Sequence, residues 1–239
     1  MQTNTSQSIT TNNSLPIMAS RYSGLCSDFN KYNYHIFGCG AIGSSAAIAI
    51  AKMNGRHFAL YDSDIVGEEN LGLSMYDGRH VGNKKVDSLG DMITDLYLID
   101  TPLDIDYNIE KVHRWVTLST PLPIPSKKNK DFAILGFDNM LSRLQIAESC
   151  FDHGFEYVID TRMGGEQLQI YTCKTIEEYK EKWYPDNEAS TDPCTSKGTS
   201  YCSMLAGSMI ASQIRKIISS QPFHKEFVFH IPSLTIDVN

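Results

Sequence analysis

The chain is predicted to fold as an α/β protein, with a mainly parallel β-sheet covered by helices on both faces. Three observations lead there. Short apolar runs alternate with stretches of helical periodicity, a glycine-rich turn joins the first such pair, and two of the runs end in acidic residues. With 239 residues the chain can bury a sizeable core in one large domain.

Residues 1–20, "MQTNTSQSITTNNSLPIMAS", are too polar to order against a core and read as a mobile tail. A single domain is expected over 21–239. "YHIF" gives a first strand, "SSAAIAIAKMNG" an Ala-rich helix stopped by Asn54-Gly55, and "HFALYD" a second strand. Val86, Leu89, Ile93 and Leu96 recur at helical spacing, and "LDIDYNI" alternates as a strand does. "STPLPIPSKKNK" reads as a loop whose Lys127, Lys128 and Lys130 form a solvated face. "DFAILGFDN" is a buried strand, "MLSRLQIAESCFDHG" a helix ended by Gly154, and "YVIDTRMGGEQLQIYTC" two strands around Gly164-Gly165. An irregular segment near 183–199 precedes a helix that begins near Ser200 and carries Ala206, Ile210, Ile214 and Ile217 on one face. "FVFHIPSLTIDV" supplies the last strand material.

Asp and Glu number 28 against 21 Lys and Arg, so no general electrostatic attraction draws the chain to nucleic acid or to an anionic membrane. No signal peptide or spanning segment is evident, and a cytoplasmic, non-secreted protein is expected. The six cysteines are scattered without a C-x-x-C pair, which suits free thiols rather than disulfides or a zinc site. The glycosylation patterns at Asn4 and Asn12 are read as chance. No histidine is assigned to metal or acid-base work, and Trp115 and Trp183 are read as packing residues.

Gly38, Gly40 and Gly43 form G-x-G-x-x-G between a strand and a helix, the Rossmann-like context. There the first glycine permits the turn, the second admits a phosphate to the backbone and the third brings helix to strand. The helix N-terminus offers N–H groups and positive potential to that phosphate. Asp62, about twenty residues on, is placed to accept from ribose hydroxyls. Asp64 follows it, and Asp138 ends a later strand. Carboxylates facing one crevice can hold magnesium together with nucleotide phosphates; Asp138 reads equally as a helix N-cap.

The order "DSDIVGEENLGLSMYDGRHVGNKKVDSL", "GFDNMLSR", "DTRMGG" and then a loop cysteine before a helix resembles the ubiquitin-activating-enzyme-like adenylyltransferases of the ThiF/MoeB group, over roughly residues 21–218. The resemblance implies a magnesium-dependent reaction in which the C-terminal carboxylate of a ubiquitin-like or sulfur-carrier protein attacks the α-phosphate of ATP. It implies that Asp62 holds the ribose, that Asn70 and Lys85 hold phosphates, that Asp138 positions magnesium beside Asn139, and that Arg143 follows one helical turn on. It places Cys194 where an activated acyl group is often received, a setting in which nearby Lys197 and a following helix start would favour the thiolate. Cys26, Cys39, Cys150 and Cys173 read as inert, and Cys202 is the next candidate after Cys194, although its place in the predicted helix turns it toward the core. The resemblance also implies a homodimer in which Arg21 reaches a neighbour's ATP.

Three departures limit the transfer. Leu73-Ser74 stand where the family usually has Arg-Gln, the paired zinc-binding cysteines are absent, so no structural zinc is expected, and the loop around Arg21 differs. Arg162 is placed either at the crevice or on the surface. Two other readings remain open on the sequence. An NAD-dependent oxidoreductase uses the glycines and Asp62 equally well but leaves Lys85, Asp138 and Cys194 idle, and a non-catalytic nucleotide- or partner-binding module is favoured by Leu73.

Overall fold

The computed structural model describes residues 22, 24, 25, 28–98, 106–116, 130–185 and 198–239. The tail, Arg21, Cys26, Lys127, Lys128, Cys194 and Lys197 lie outside them. A single mixed sheet contains strands β1 (Tyr32–Phe37), β2 (His57–Tyr61), β3 (Asn108–Val112), β4 (Lys130–Leu135), β5 (Tyr157–Gly164), β6 (Gln167–Cys173), β7 (Glu226–His230) and β8 (Thr235–Val238), in the order β3-β2-β1-β4-β5-β6-β7-β8. The first five run parallel and the last three are antiparallel. The expected α/β class and Rossmann-like arrangement are found, with the parallel part confined to the first five strands.

The helices are α1 (Ala41–Lys52), α2 (Lys85–Leu98), α3 (Met140–Asp152), α4 (Ile176–Lys180) and α5 (Ser200–Ile218). Alternation along β1 assigns them to the two faces. Tyr34 and Ile36 pack with Ala46 and Ile50 of α1, Leu89 and Ile93 of α2, and Ala206, Ile210 and Ile214 of α5. Phe37, Tyr61 and Leu135 point the other way, onto Ile146 and Cys150 of α3 and Tyr179 of α4. Buried His35 on that second face approaches Asp131 at 3.1 Å and the Tyr61 hydroxyl at 3.3 Å, a satisfied core histidine.

Local chemistry sets the helix ends. Asn54, at φ 69°, turns the chain after α1, and Gly154, at φ 85°, does so after α3. The Asn139 side chain accepts from Ser142 N at 2.8 Å to start α3, and Thr199 accepts from Cys202 N at 3.4 Å to start α5.

Three expectations shift. The strand sought in "LDIDYNI" begins only at Asn108 and continues through Lys111 and Val112, paired with β2. The final segment is a hairpin with a turn at 231–234, because Pro232 lacks the N–H that a ladder needs. The short helix α4, started by Thr175 accepting from Glu178 N at 3.2 Å, was not foreseen; five residues carry too little periodicity to read.

β1 has β2 on one side and β4 on the other, so the chain leaves it in one direction through α1 and returns on the opposite side. Their C-terminal ends diverge into a crevice, the position at which open α/β sheets take ligands.

Candidate nucleotide site

A cavity of about 830 Å³ opens over those strand ends. Gly38 and Gly43 explain how it can form. Gly38 has φ 88°, and a Cβ there would stand 3.0 Å from the Gly136 carbonyl at the end of β4. A Cβ on Gly43 would lie 1.8 Å from the Gly38 carbonyl oxygen, so only glycine lets α1 start this close to β1. Gly40 is the N-cap of α1 and makes no side-chain cap, and a Cβ there would meet only open space. The first N–H groups of α1 lack intrahelical partners, and Gly40, Ala41 and Ile42 line the cavity.

Asp62 stands at the end of β2 with both oxygens engaged by backbone, Oδ2 accepting from Cys39 N at 2.7 Å and Oδ1 from Asp64 N at 2.8 Å. These bonds lock the carboxylate against the glycine turn. Burial raises its pKa above the ordinary carboxylate value, against the opposing pull of Lys85 and the two N–H groups. Lys85, first residue of α2, is 8% exposed and donates to Asp64 Oδ2 at 2.8 Å. Burial works against its charge, but the Asp64 bond and the Asp62 and Asp64 carboxylates outweigh it, so its pKa is raised.

Asn70 accepts from Gly67 N at 2.9 Å and lines the cavity with Leu73 and Ser74. This segment is tied down on two sides: Met75 N donates to Ser44 of α1 at 3.1 Å, and Ser203 of α5 donates to the Leu73 carbonyl at 2.6 Å. Leu73 therefore presents an apolar side chain in the segment where the resemblance led one to look for an arginine.

Asp138 and Asn139, adjacent and both exposed, divide two tasks. Asn139 caps α3, which resolves the alternative reading of Asp138 as that cap. Asp138 lines the cavity with a carboxylate that no described side chain engages. Among the described residues no group of three or more His, Cys, Asp or Glu side chains could hold a metal by itself. A lone hard carboxylate fits magnesium brought by phosphates, since that ion is usually held by one or two carboxylates plus substrate oxygens.

At the other end of the cavity the sequence placed Arg162 either in the crevice or on the surface and did not reveal how it is held. Asp160 of β5 is fully buried and receives the Arg143 guanidinium, Arg162 Nε at 2.8 Å and the Tyr179 hydroxyl at 3.2 Å. Arg143 also donates to the carbonyls of Leu135, Phe137 and Thr161, fastening the end of β4 to β5. Arg162 lies between the rings of Tyr171 and Tyr184, 4.5 and 4.8 Å from their centroids. It is thus a buried residue of the cavity wall, 6% exposed, and not a surface arginine. The alternation Asp160-x-Arg162 on one strand and Arg143 one turn into the facing helix was the available signal.

Cys39, Cys150, Cys173 and Cys202 are free and buried, as expected of inert thiols. Burial pushes the Cys173 pKa up to about 12 and that of Cys202 up to about 11. Trp183 packs as expected, its indole N–H donating to the Met140 carbonyl at 2.7 Å, but Trp115 is 74% exposed on the cavity wall, contrary to its reading as a packing residue.

A glycine-turn cavity at the switch point of a parallel sheet defines a nucleotide-binding α/β protein. Residues 17–238 match the ThiF family, and the chain belongs to it. In fold it is similar to E. coli MccB bound to ATP (TM-score 0.67, 13% identity, 90% of this chain and 66% of that one). It is likewise similar to MccB with selenomethionine MccA (0.67, 12%, 93% and 67%) and to PaaA (0.66, 15%, 89% and 65%). The chain thus spans about two thirds of the length of these structures. No curated protein sequence matches it. Among the described residues no helix is long and apolar enough to cross a membrane.

Proposed function

We propose that this chain is an ATP-dependent adenylyltransferase that activates the C-terminal carboxylate of a small protein or peptide, a ubiquitin-like or sulfur-carrier protein being the substrate the sequence suggests. The observation that carries the reading is Asp138: released from capping by Asn139, it faces the same cavity as the α1 N-terminus and Lys85. A nicotinamide site has no use for that carboxylate, and an ATP site does.

In this reading Asp62, fixed by two backbone N–H groups, orients the ribose. The first N–H groups of α1, Asn70 and Lys85 receive phosphate oxygens, with Lys85 kept protonated by Asp64. Magnesium, when bound, supplies positive charge to those oxygens, and Asp138 is the residue that would hold it. The substrate carboxylate oxygen forms a bond to the α-phosphorus, the bond between that phosphorus and its bridging oxygen breaks, and pyrophosphate leaves with the electron pair. Positioning and charge neutralisation then carry the step. E. coli MccB, the neighbour whose structure holds ATP, supports the choice of nucleotide, and its complexes with MccA support a separate acceptor chain. Leu73 removes a phosphate cation, so a slow enzyme is expected. Cys194 is the proposed acceptor of the acyl group, and a homodimer would let Arg21 reach a second site.

Pyrophosphate release from ATP tests the reading, with synthetic peptides bearing a free C-terminal carboxylate compared with their amides. Release with free carboxylates alone supports it. Release that ignores the carboxylate, or NAD reduction in its place, overturns it. Cys194→Ala should spare pyrophosphate release and abolish any thioester.

A further inference from the structure

Packing does not explain Gly40 as it explains Gly38 and Gly43, since a Cβ there would meet only open space. Its freedom lies in the backbone. Glycine accepts both signs of φ, so the peptide joining Cys39 to Gly40 can turn over at little steric cost. The two orientations are chemically opposite. In a trans peptide the carbonyl and the N–H point in opposite directions, so one orientation offers the cavity a donor and the other an acceptor.

One buried hydroxyl makes the choice. Tyr76, 4% exposed, donates to the Cys39 carbonyl at 2.6 Å, with the Lys85 carbonyl 3.2 Å away as a second acceptor within its reach. Its ring packs in the core on the α1 side of the sheet, so the bonded carbonyl is drawn toward Tyr76 and the Gly40 N–H is turned away from it. The preceding donors of the turn are spent, Gly38 N on the Tyr61 carbonyl at 2.8 Å and Cys39 N on Asp62 Oδ2 at 2.7 Å. Among the described residues no acceptor takes the Gly40 N–H, and Gly40 lines the cavity. We infer that Tyr76 is a positioning residue: its hydroxyl holds the Cys39–Gly40 peptide with the N–H toward the cavity, where it donates to a nucleotide phosphate, and ties that peptide to the start of α2, which carries Lys85. The inference rests on the nucleotide reading of the cavity and adds the residue that sets the polarity of the glycine turn. Tyr76 itself touches no ligand. Without its hydroxyl the Cys39 carbonyl is buried with no donor, and the peptide gains by turning that oxygen toward water in the cavity. There it would face phosphate oxygens of like charge.

Tyr76→Phe keeps the ring and removes only the hydroxyl. Amide NMR of the isotope-labelled full chain, titrated with ATP and magnesium and separately with adenosine, reads both the affinity and the Gly40 N–H. In the wild type the Gly40 amide proton should move downfield with ATP and far less with adenosine, which has no phosphate. In Tyr76→Phe the ATP affinity should fall about tenfold, in keeping with one hydrogen bond to a charged group, while adenosine affinity stays unchanged. A merely structural role would weaken both ligands alike. Equal ATP affinity in the two proteins, an equal loss for ATP and adenosine, or a wild-type Gly40 amide that ignores bound ATP overturns this inference alone. Should Tyr76→Phe fail to fold, the wild-type Gly40 amide still decides it. A wild type that binds no ATP overturns it together with the nucleotide reading.

Discussion

At the β1 end of the cavity the groups that face a ligand are backbone N–H groups, a lysine held by one carboxylate, and side chains left open such as Asp138 and Arg114. At the β5 end the charges are turned inward: Arg143 and Arg162 share the fully buried Asp160, and carbonyls and aromatic rings enclose them. The first end can change partners when a ligand arrives, since Asp138 and Arg114 are exposed to water. The second cannot, because uncovering one of its charges would leave another buried and unpaired. One end therefore leaves groups open to a ligand, and the other fixes the strand ends that shape the cavity.

Substitutions separate the two ends, and the largest effect is expected at the buried cluster. Asp160→Ala leaves two buried guanidinium groups without their acid and should cost about 3–5 kcal/mol, lowering the unfolding temperature by about 10 °C. A loss under about 1 kcal/mol would remove the proposed structural role. Gly43→Ala comes next, since its Cβ would collide with the Gly38 carbonyl. Calorimetric unfolding should show a loss of about 1–3 kcal/mol, accompanied by weaker ATP binding.

Lys85→Ala should act mainly on the ligand, with ATP affinity down roughly tenfold or more in isothermal titration, in keeping with about 1.5–3 kcal/mol for a hydrogen bond to a charged group. Its pH dependence has a definite sign. Because the folded-state pKa is raised, the lysine's contribution is complete below the ordinary lysine value and is lost only as pH rises through the higher folded one. The stability gap between wild type and Lys85→Ala should therefore stay level through neutral pH and narrow only in strong alkali. A gap that opened or closed near neutrality would show that the pair with Asp64 is misassigned.

The smallest effect comes from the neighbours Asp138 and Asn139. Asn139→Ala should cost about 1 kcal/mol by loss of the α3 cap. Asp138→Asn should leave stability within about 0.5 kcal/mol. Urea unfolding of the pair checks this, and equal costs would mean that the cap is shared.

The sequence made the β1 end legible because its roles are carried by residue types at fixed spacing. Gly38, Gly40 and Gly43 sit between a strand and a helix, Asp62 follows β2, and Asp138 lies just past the end of β4. The β5 end was legible only in part, with Arg162 placed either at the crevice or on the surface, because its contacts join residues far apart in the chain, such as Arg162 with the Lys182 carbonyl at 3.0 Å, and no local pattern announces such a bond. Trp115 was misread because tryptophan is usually largely buried, whereas here it is 74% exposed beside the buried Val116. The boundary of β3 moved because alternation in "LDIDYNI" does not say which strand it will pair with, and only residues from Asn108 meet β2.

Binding of ATP through Asp138 is the claim on which the rest depends, and thermal unfolding of wild type and Asp138→Asn tests it directly, with ATP and magnesium, ATP with chelator, and NAD. At a hundred times its dissociation constant a ligand adds roughly 2.7 kcal/mol. The account predicts that ATP with magnesium raises the wild-type unfolding temperature, that chelation or Asp138→Asn removes most of the rise, and that NAD gives none. Stabilisation by NAD alone, or an ATP effect indifferent to both magnesium and Asp138, would contradict it.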